Sequence, residues 1–146
     1  MSSIFEGFLS SPEASLSFGD RLFVQAMLRF EASLARAQAS CGLIPESSAQ
    51  SIIGTCKVEL FDAAKIVRES PRAGSLAIPL VKSLKEAVGL FNPQAVPHVH
   101  FGCTSQDAID TAMALVTRDV LDSIELDVRK AADALLALAW ACSRDH

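Results

Sequence analysis

Basic excess, paired cysteines and long hydrophobic runs are what this sequence has least of. Thirteen lysines and arginines stand against seventeen aspartates and glutamates, a formal net charge of −4 over 146 residues. Without a basic patch, nucleic acid is excluded as the expected partner. The mild acidic excess points to no ligand by itself. The four cysteines, Cys41, Cys56, Cys103 and Cys142, are irregularly spaced and include no Cys-x-x-Cys pair. Reduced, partly buried thiols in a cytoplasmic protein are the expectation. The longest strongly apolar stretch, Ala134 to Cys142, is too short to cross a bilayer, so no membrane partner is expected. The start, Met1-Ser-Ser-Ile-Phe-Glu6, has neither a positive opening nor a long apolar run, and no signal peptide is read there. No strand-like alternation competes with the helical pattern, and no internal repeat is found.

What is present is helix period, in a chain that is half apolar and about a fifth charged. That balance suits one modest globular domain with a real core. Leu22, Phe23, Ala26, Met27, Phe30, Leu34 and Ala37 recur at spacings of three and four, predicting a helix over Asp20 to Cys41 with that stripe inward. Gly19-Asp20 can cap its start; Gly42 and then Pro45 stop it. A short helix is expected over Glu46 to Cys56, with Ala49, Ile52 and Ile53 inward. Asp62 opens another that ends near Pro71 to Gly74. Ile78 to Phe91 makes a fourth, with Pro79 tolerated in its first turn. Asn92 to Cys103, carrying Pro93 and Pro97, reads as the one long loop.

From Cys103 onward there is neither glycine nor proline. Ile109, Ala112, Met113, Val116, Val120, Ile124, Val128, Ala131, Leu135, Leu138 and Cys142 keep the helical period. They predict one long rod, or two helices broken near Leu121 to Ile124. Leu126, Leu136, Ala139 and Trp140 widen the apolar face at its far end, and the short helices before it could cover only part of that surface. The chain closes on Ser143-Arg144-Asp145-His146 without a cap. The rod is therefore expected to pack against other helices, from other copies of the chain or from further sequence.

Chemistry concentrates at the mouth of this rod, in Val96-Pro-His-Val-His-Phe-Gly-Cys-Thr-Ser-Gln-Asp107. Thr104 or Ser105 can serve as N-cap, and Gln106 and Asp107 suit the positive end of the helix dipole. The same groups admit a second reading. Free backbone N–H groups, two hydroxyls and a carboxamide converge where a carboxylate could bind, and Gly102 lets a ligand approach the backbone. His98, His100 and Cys103 offer three metal-ligand types, but no fourth is near in sequence, and no metal is expected. Cys103 and His100 could be nucleophile and base, but no third group is identifiable. His98 is expected to be structural, and His100, closer to the helix mouth, is the better candidate to touch a ligand. His146, at the chain end, is set aside.

His100-Phe-Gly-Cys-Thr-Ser-Gln-Asp107, followed by Ala-Ile-Asp-Thr-Ala112, resembles the first signature region of the fumarase/aspartase superfamily. Its Thr-Ser-Gln-Asp form is most similar to the 3-carboxy-cis,cis-muconate cycloisomerases. Met27-Leu-Arg-Phe-Glu-Ala-Ser-Leu-Ala-Arg-Ala37 resembles the superfamily's first long helix, and Gly42-Leu-Ile-Pro45 follows as it does there. Ala73-Gly-Ser-Leu-Ala-Ile-Pro-Leu-Val81 resembles a segment in which cycloisomerases usually have Gly-Asn, from which Ser75 departs. Adenylosuccinate lyases, the alternative, tend to carry Arg-His-Asp there, and Gly74 to Pro79 holds neither histidine nor aspartate.

The resemblance implies an all-α fold. Residues 1–103 would form an N-terminal helical domain with the substrate-side loop, and 104–146 the start of a central helix bundle. It implies a homotetramer in the full-length protein, with active sites built from three subunits, a small tricarboxylate substrate and no cofactor. Thr104, Ser105 and Gln106 match positions that bind substrate carboxylate, and His100 matches one lining the same pocket. Two further signature segments, an Arg-Thr stretch and a Gly-Ser-Ser loop bearing the proton-transfer serine, do not occur in these residues. Proton transfer is therefore expected to lie with groups outside this chain. The piece alone is expected to be inactive. The competing reading is a helical oligomerisation module without chemistry.

Overall fold

Backbone turns explain where each helix starts and stops. The computed structural model describes Leu16 and residues 18–143; the readings at residues 1–15 and at 144–146 lie outside them. Helix α1 runs Asp20–Ser40. It ends as the Gly42 N–H donates to the Ala39 carbonyl and the Leu43 N–H to that of Gln38. This paired closure needs a left-handed residue, and Gly42 supplies it at φ +70°. Helix α2, Glu46–Thr55, follows Pro45, and a 3-10 turn covers Val58–Leu60.

Helix α3 spans Ala63–Ala73, and the Asp62 carboxylate accepts from the Lys65 N–H at 2.9 Å. Pro71 sits inside it and has no N–H for the Val67 carbonyl four residues back. The Ser70 hydroxyl donates to that carbonyl instead, at 2.8 Å. Gly74, at φ +75°, ends the helix. Helix α4 spans Ala77–Phe91, and the Ser75 hydroxyl accepts from the Ala77 N–H at its start. Ser75, the departure noted in the sequence, here serves the backbone.

The fold is all-α, as the periodicity predicts, with no strand among the described residues. Two local expectations change, and of the two alternatives for the rod the first holds. The segment read as one loop contains a 3-10 helix, Pro93–His98. Its two prolines fix φ, and the Asn92 side chain accepts from the Gln94 N–H. The rod is a single helix, α5, Ser105–Cys142, unbroken at Leu121 to Ile124; nothing in its sequence interrupts the hydrogen-bond ladder. The face of α1 is also turned. Ala26 and Met27 are buried, but Phe23, Phe30 and Leu34 are only half-buried, and Leu22 and Ala37 are exposed. The buried face is completed by Val24, Leu28, Glu31, Ala35 and Gln38. Two polar side chains point inward because their partners lie there.

The chain divides into two compact units, residues 1–116 and 117–146. In the first, α1 packs on α2 and α3, and α4 packs on α2, α3 and the Pro93–His98 turn. Met27, Leu28, Ile52, Leu80, Leu84, Val88 and Val99 are among the large buried apolar side chains, and Ala108, Ala112 and Val116 of α5 join the same core. Residues 117–143 are, apart from half-buried Val120, exposed.

Candidate functional site

The segment between α4 and α5 is held from two sides by side chains that helix propensity alone would leave in solvent. From α2, the Ser51 hydroxyl accepts from the Asn92 amide at 2.9 Å, and Ser48 Oγ lies 3.1 Å from His98 Nδ1. His98 is thus a structural tie, as expected. From α1, Gln38 Nε2 donates to the Phe101 carbonyl at 2.6 Å. Glu31 Oε1 lies 2.6 Å from His100 Nδ1. Four tethers fix a stretch that would otherwise be free to move.

They hold a strained corner. His100 has φ +59°, the one left-handed non-glycine residue described, and Gly102 follows at φ +68°. A side chain in this region costs energy that surrounding bonds must offset. The Glu31 side chain is 1% exposed and that of His100 13%. Among the described residues Glu31 Oε2 and Gln38 Oε1 have no hydrogen-bond partner. Glu31 therefore relies on His100 as its hydrogen-bonding partner. A buried carboxylate without a partner is costly, so this contact specifies the corner.

Cys103 Sγ lies 3.2 Å from the same His100 Nδ1. A nucleophile–base–carboxylate relay needs the thiol on one ring nitrogen and the carboxylate on the other. Both meet Nδ1 here, which removes that reading. The charge environment agrees: burial, then Glu31, then Asp107 push the Cys103 thiol up to about 11. Burial, then Glu31, push Cys56 up to about 12. Both are neutral thiols near neutral pH. All four cysteines are free, with Cys56 and Cys103 half-buried but Cys41 and Cys142 exposed, so the expectation of partial burial holds for only two. Among the described residues no group of three or more His, Cys, Asp or Glu could hold a metal ion.

At the start of α5, the Asp107 carboxylate accepts from the Thr104 N–H at 2.7 Å and from its hydroxyl at 3.0 Å. The Thr104 hydroxyl in turn faces the Asp107 N–H at 3.4 Å. This is a reciprocal cap with aspartate in the place usually taken by glutamate. The bonds from Thr104, backbone first, hold the Asp107 carboxyl below its usual range, with His100 nearby adding to the effect. Gln106 Nε2 donates to Asp110 Oδ1 along the helix surface at 2.5 Å.

Beside the corner lies a cleft of about 420 Å³ lined by His100, Ser105 and one face of α4: Ala77, Ile78, Val81, Lys82, Lys85 and Glu86. Of the four residues singled out from sequence, His100 and Ser105 meet in this cleft. Thr104 is engaged as cap and Gln106 with Asp110, and neither lines it. Lys82, Lys85 and Glu31 were not singled out. Lysines on a helix surface usually mark only solvent exposure, and a glutamate in an apolar helix gives no sign of inward rotation.

This arrangement can be set beside known proteins. Residues 9–143 match the sequence profile of a family described as lyase. The chain belongs to that lyase family. It is 44% identical over 132 residues to a 3-carboxy-cis,cis-muconate cycloisomerase of Pseudomonas putida, covering 90% of this chain and 31% of that protein. It is 41% identical over 139 residues to a 3-carboxy-cis,cis-muconate cycloisomerase of Bradyrhizobium diazoefficiens, covering 95% and 31%. The crystal structure of the 3-carboxy-cis,cis-muconate lactonizing enzyme from Pseudomonas putida superposes with a TM-score of 0.84 at 43% identity, over 90% of this chain and 30% of that one. The chain thus spans under a third of the length of these lyase-family relatives, and its helices follow theirs.

Proposed function

We propose that this chain supplies carboxylate-binding residues to a cycloisomerase that interconverts 3-carboxy-cis,cis-muconate and 4-carboxymuconolactone. The observation that carries the reading is the cleft between α4 and the mouth of α5. Its wall is largely aliphatic, from Ala77, Ile78 and Val81, while Lys82, Lys85, His100 and Ser105 bring cationic or hydrogen-bonding groups to the same space, against the single carboxylate of Glu86. An unsaturated acid needs that combination: apolar contact for its carbon skeleton and fixed donors for its carboxylates. The α5 N-terminus adds the positive end of its dipole.

In the proposed reaction, one carboxylate of the muconate adds across a carbon–carbon double bond to close the lactone, and a proton is delivered to carbon. In reverse, the C–O bond breaks as the α-proton leaves. Negative charge builds on an aci-carboxylate, and donors placed in advance are what stabilise it. In this proposal His100, Ser105 and the two lysines of α4 hold carboxylates, while Thr104 and Gln106 shape the α5 mouth that carries Ser105. Proton transfer belongs to groups outside the 146 residues. The assembly proposed is a homotetramer in which residues 104–146 open the central bundle and residues 1–103 form the N-terminal domain.

Titrating the 146-residue chain with propane-1,2,3-tricarboxylate, read by amide NMR, tests the site. Saturable shifts are expected to concentrate at Lys82, Lys85, His100 and Ser105. The double substitution Lys82→Ala/Lys85→Ala should weaken binding by about tenfold, since both lysines are exposed and charge contacts at such positions are worth up to about 1 kcal/mol each. Shifts spread over the surface without saturation would sink the reading. The chain alone should leave the muconate absorbance unchanged, and turnover by it would defeat the assignment of proton transfer to other segments.

A further inference from the structure

Glu31 comes from α1, well away in sequence from the cleft, yet its buried carboxylate meets the one histidine that lines it. Imidazole has two nitrogens, and which one carries the proton is set by what the other groups around the ring accept or donate. Glu31 Oε1, at 2.6 Å, faces Nδ1. A carboxylate only accepts, so the proton of that bond sits on Nδ1. The Cys103 thiol, also at Nδ1, is neutral and does not displace it. Nε2 is engaged by no described residue.

We infer that Glu31 is a positioning residue that assigns the His100 proton to Nδ1 and so presents Nε2 as the ring's working nitrogen toward the cleft. Free neutral imidazole favours the opposite tautomer, with the proton on Nε2. The buried carboxylate reverses that preference. Gln38, seven residues along the same face of α1, holds the neighbouring Phe101 carbonyl, so one helix fixes both the ring's tautomer and the left-handed backbone that aims it. With Nε2 free, His100 can accept a proton from a protonated ligand carboxyl or, once charged, donate to a carboxylate. This use rests on the acid-binding reading of the cleft; the tautomer itself does not.

Long-range ¹H–¹⁵N spectra of the ¹⁵N-labelled 146-residue chain, without ligand, read the two nitrogens separately. Read at a pH high enough for the ring to be neutral, the expected result is a proton on His100 Nδ1 and none on Nε2. A neutral ring with its proton on Nε2 would overturn the inference. Glu31→Leu removes the acceptor at similar volume and should move the proton to Nε2 in the majority form. Glu31→Gln keeps an acceptor oxygen and should restore the Nδ1 proton. Should the leucine variant fail to fold, the wild-type and glutamine spectra decide. An Nδ1 proton that persists in folded Glu31→Leu would also overturn the inference. Because no ligand is present, failure here is separate from failure of the tricarboxylate titration.

Discussion

Glu31 decides the chemistry of its neighbours because a carboxylate taken out of water imposes itself on every ionisable group within reach. It holds the His100 ring, and it helps burial keep Cys56 and Cys103 protonated. Alkylation by iodoacetamide near pH 8 should therefore modify exposed Cys41 and Cys142 first and leave Cys56 and Cys103 largely unreacted, as peptide mapping would show. Equal rates at all four sites would contradict the buried cluster. The same shifts set a pH trend. A thiol with its folded value raised contributes stability in full below the unfolded value near 9.0, and loses it as pH rises through about 11 for Cys103 and about 12 for Cys56. Urea midpoints should fall across that alkaline window, and less steeply in Cys56→Ala/Cys103→Ala. Asp107 works in the other direction. Its lowered value means a contribution present above the usual carboxylate range and lost as pH falls through the folded value.

At the scale of the element, ends matter more than middles. Two glycines show how the same substitution changes sign with its place. Gly42 closes α1 at φ +70°, with open space where a Cβ would stand. Gly42→Ala therefore meets no clash, but a left-handed alanine costs roughly 1–2 kcal/mol. Gly54 lies within α2 and also has open space around it. Gly54→Ala should stabilise by about 0.5–1 kcal/mol, since glycine loses more chain entropy in a helix. Thermal melts of the two variants should move in opposite directions. A shift of the same sign in both would mean that the Gly42 turn is not the stop for α1.

For the whole molecule, the decisive feature is apolar surface that the chain does not cover. Leu121, Ile124, Leu126, Val128, Leu135, Leu136, Leu138 and Trp140 are each 51–68% exposed. An exposed apolar run of this extent marks an association surface in a stable protein. Sedimentation of the chain should show concentration-dependent self-association, and Leu135→Glu/Leu138→Glu should shift it toward monomer while helical content stays unchanged. A monomer at every concentration would favour a self-contained module over a bundle partner. Among the described residues no helix is long and apolar enough to cross a membrane.

The sequence by itself determined the helices and their ends. Period, glycines, prolines and caps act between residues a few positions apart, so α1, α2, α3 and α4 lie within about a residue of where the pattern places them, and the unbroken α5 follows from its lack of breakers. The motif at its mouth was legible for the same reason: Thr104 and Asp107 are three residues apart and bond each other directly. What only the tertiary structure decided is which face each helix turns inward, and so which side chains meet. Glu31 lies 69 positions from His100 and Gln38 lies 63 from Phe101. Helix period alone placed the inward stripe of α1 on its apolar residues. Lys82 and Lys85 came to line the cleft only when α4 came to rest beside the α5 mouth. Short-range rules fix a helix's axis and length; its rotation is set by the bonds available to buried polar groups, and those partners exist only once the chain has folded.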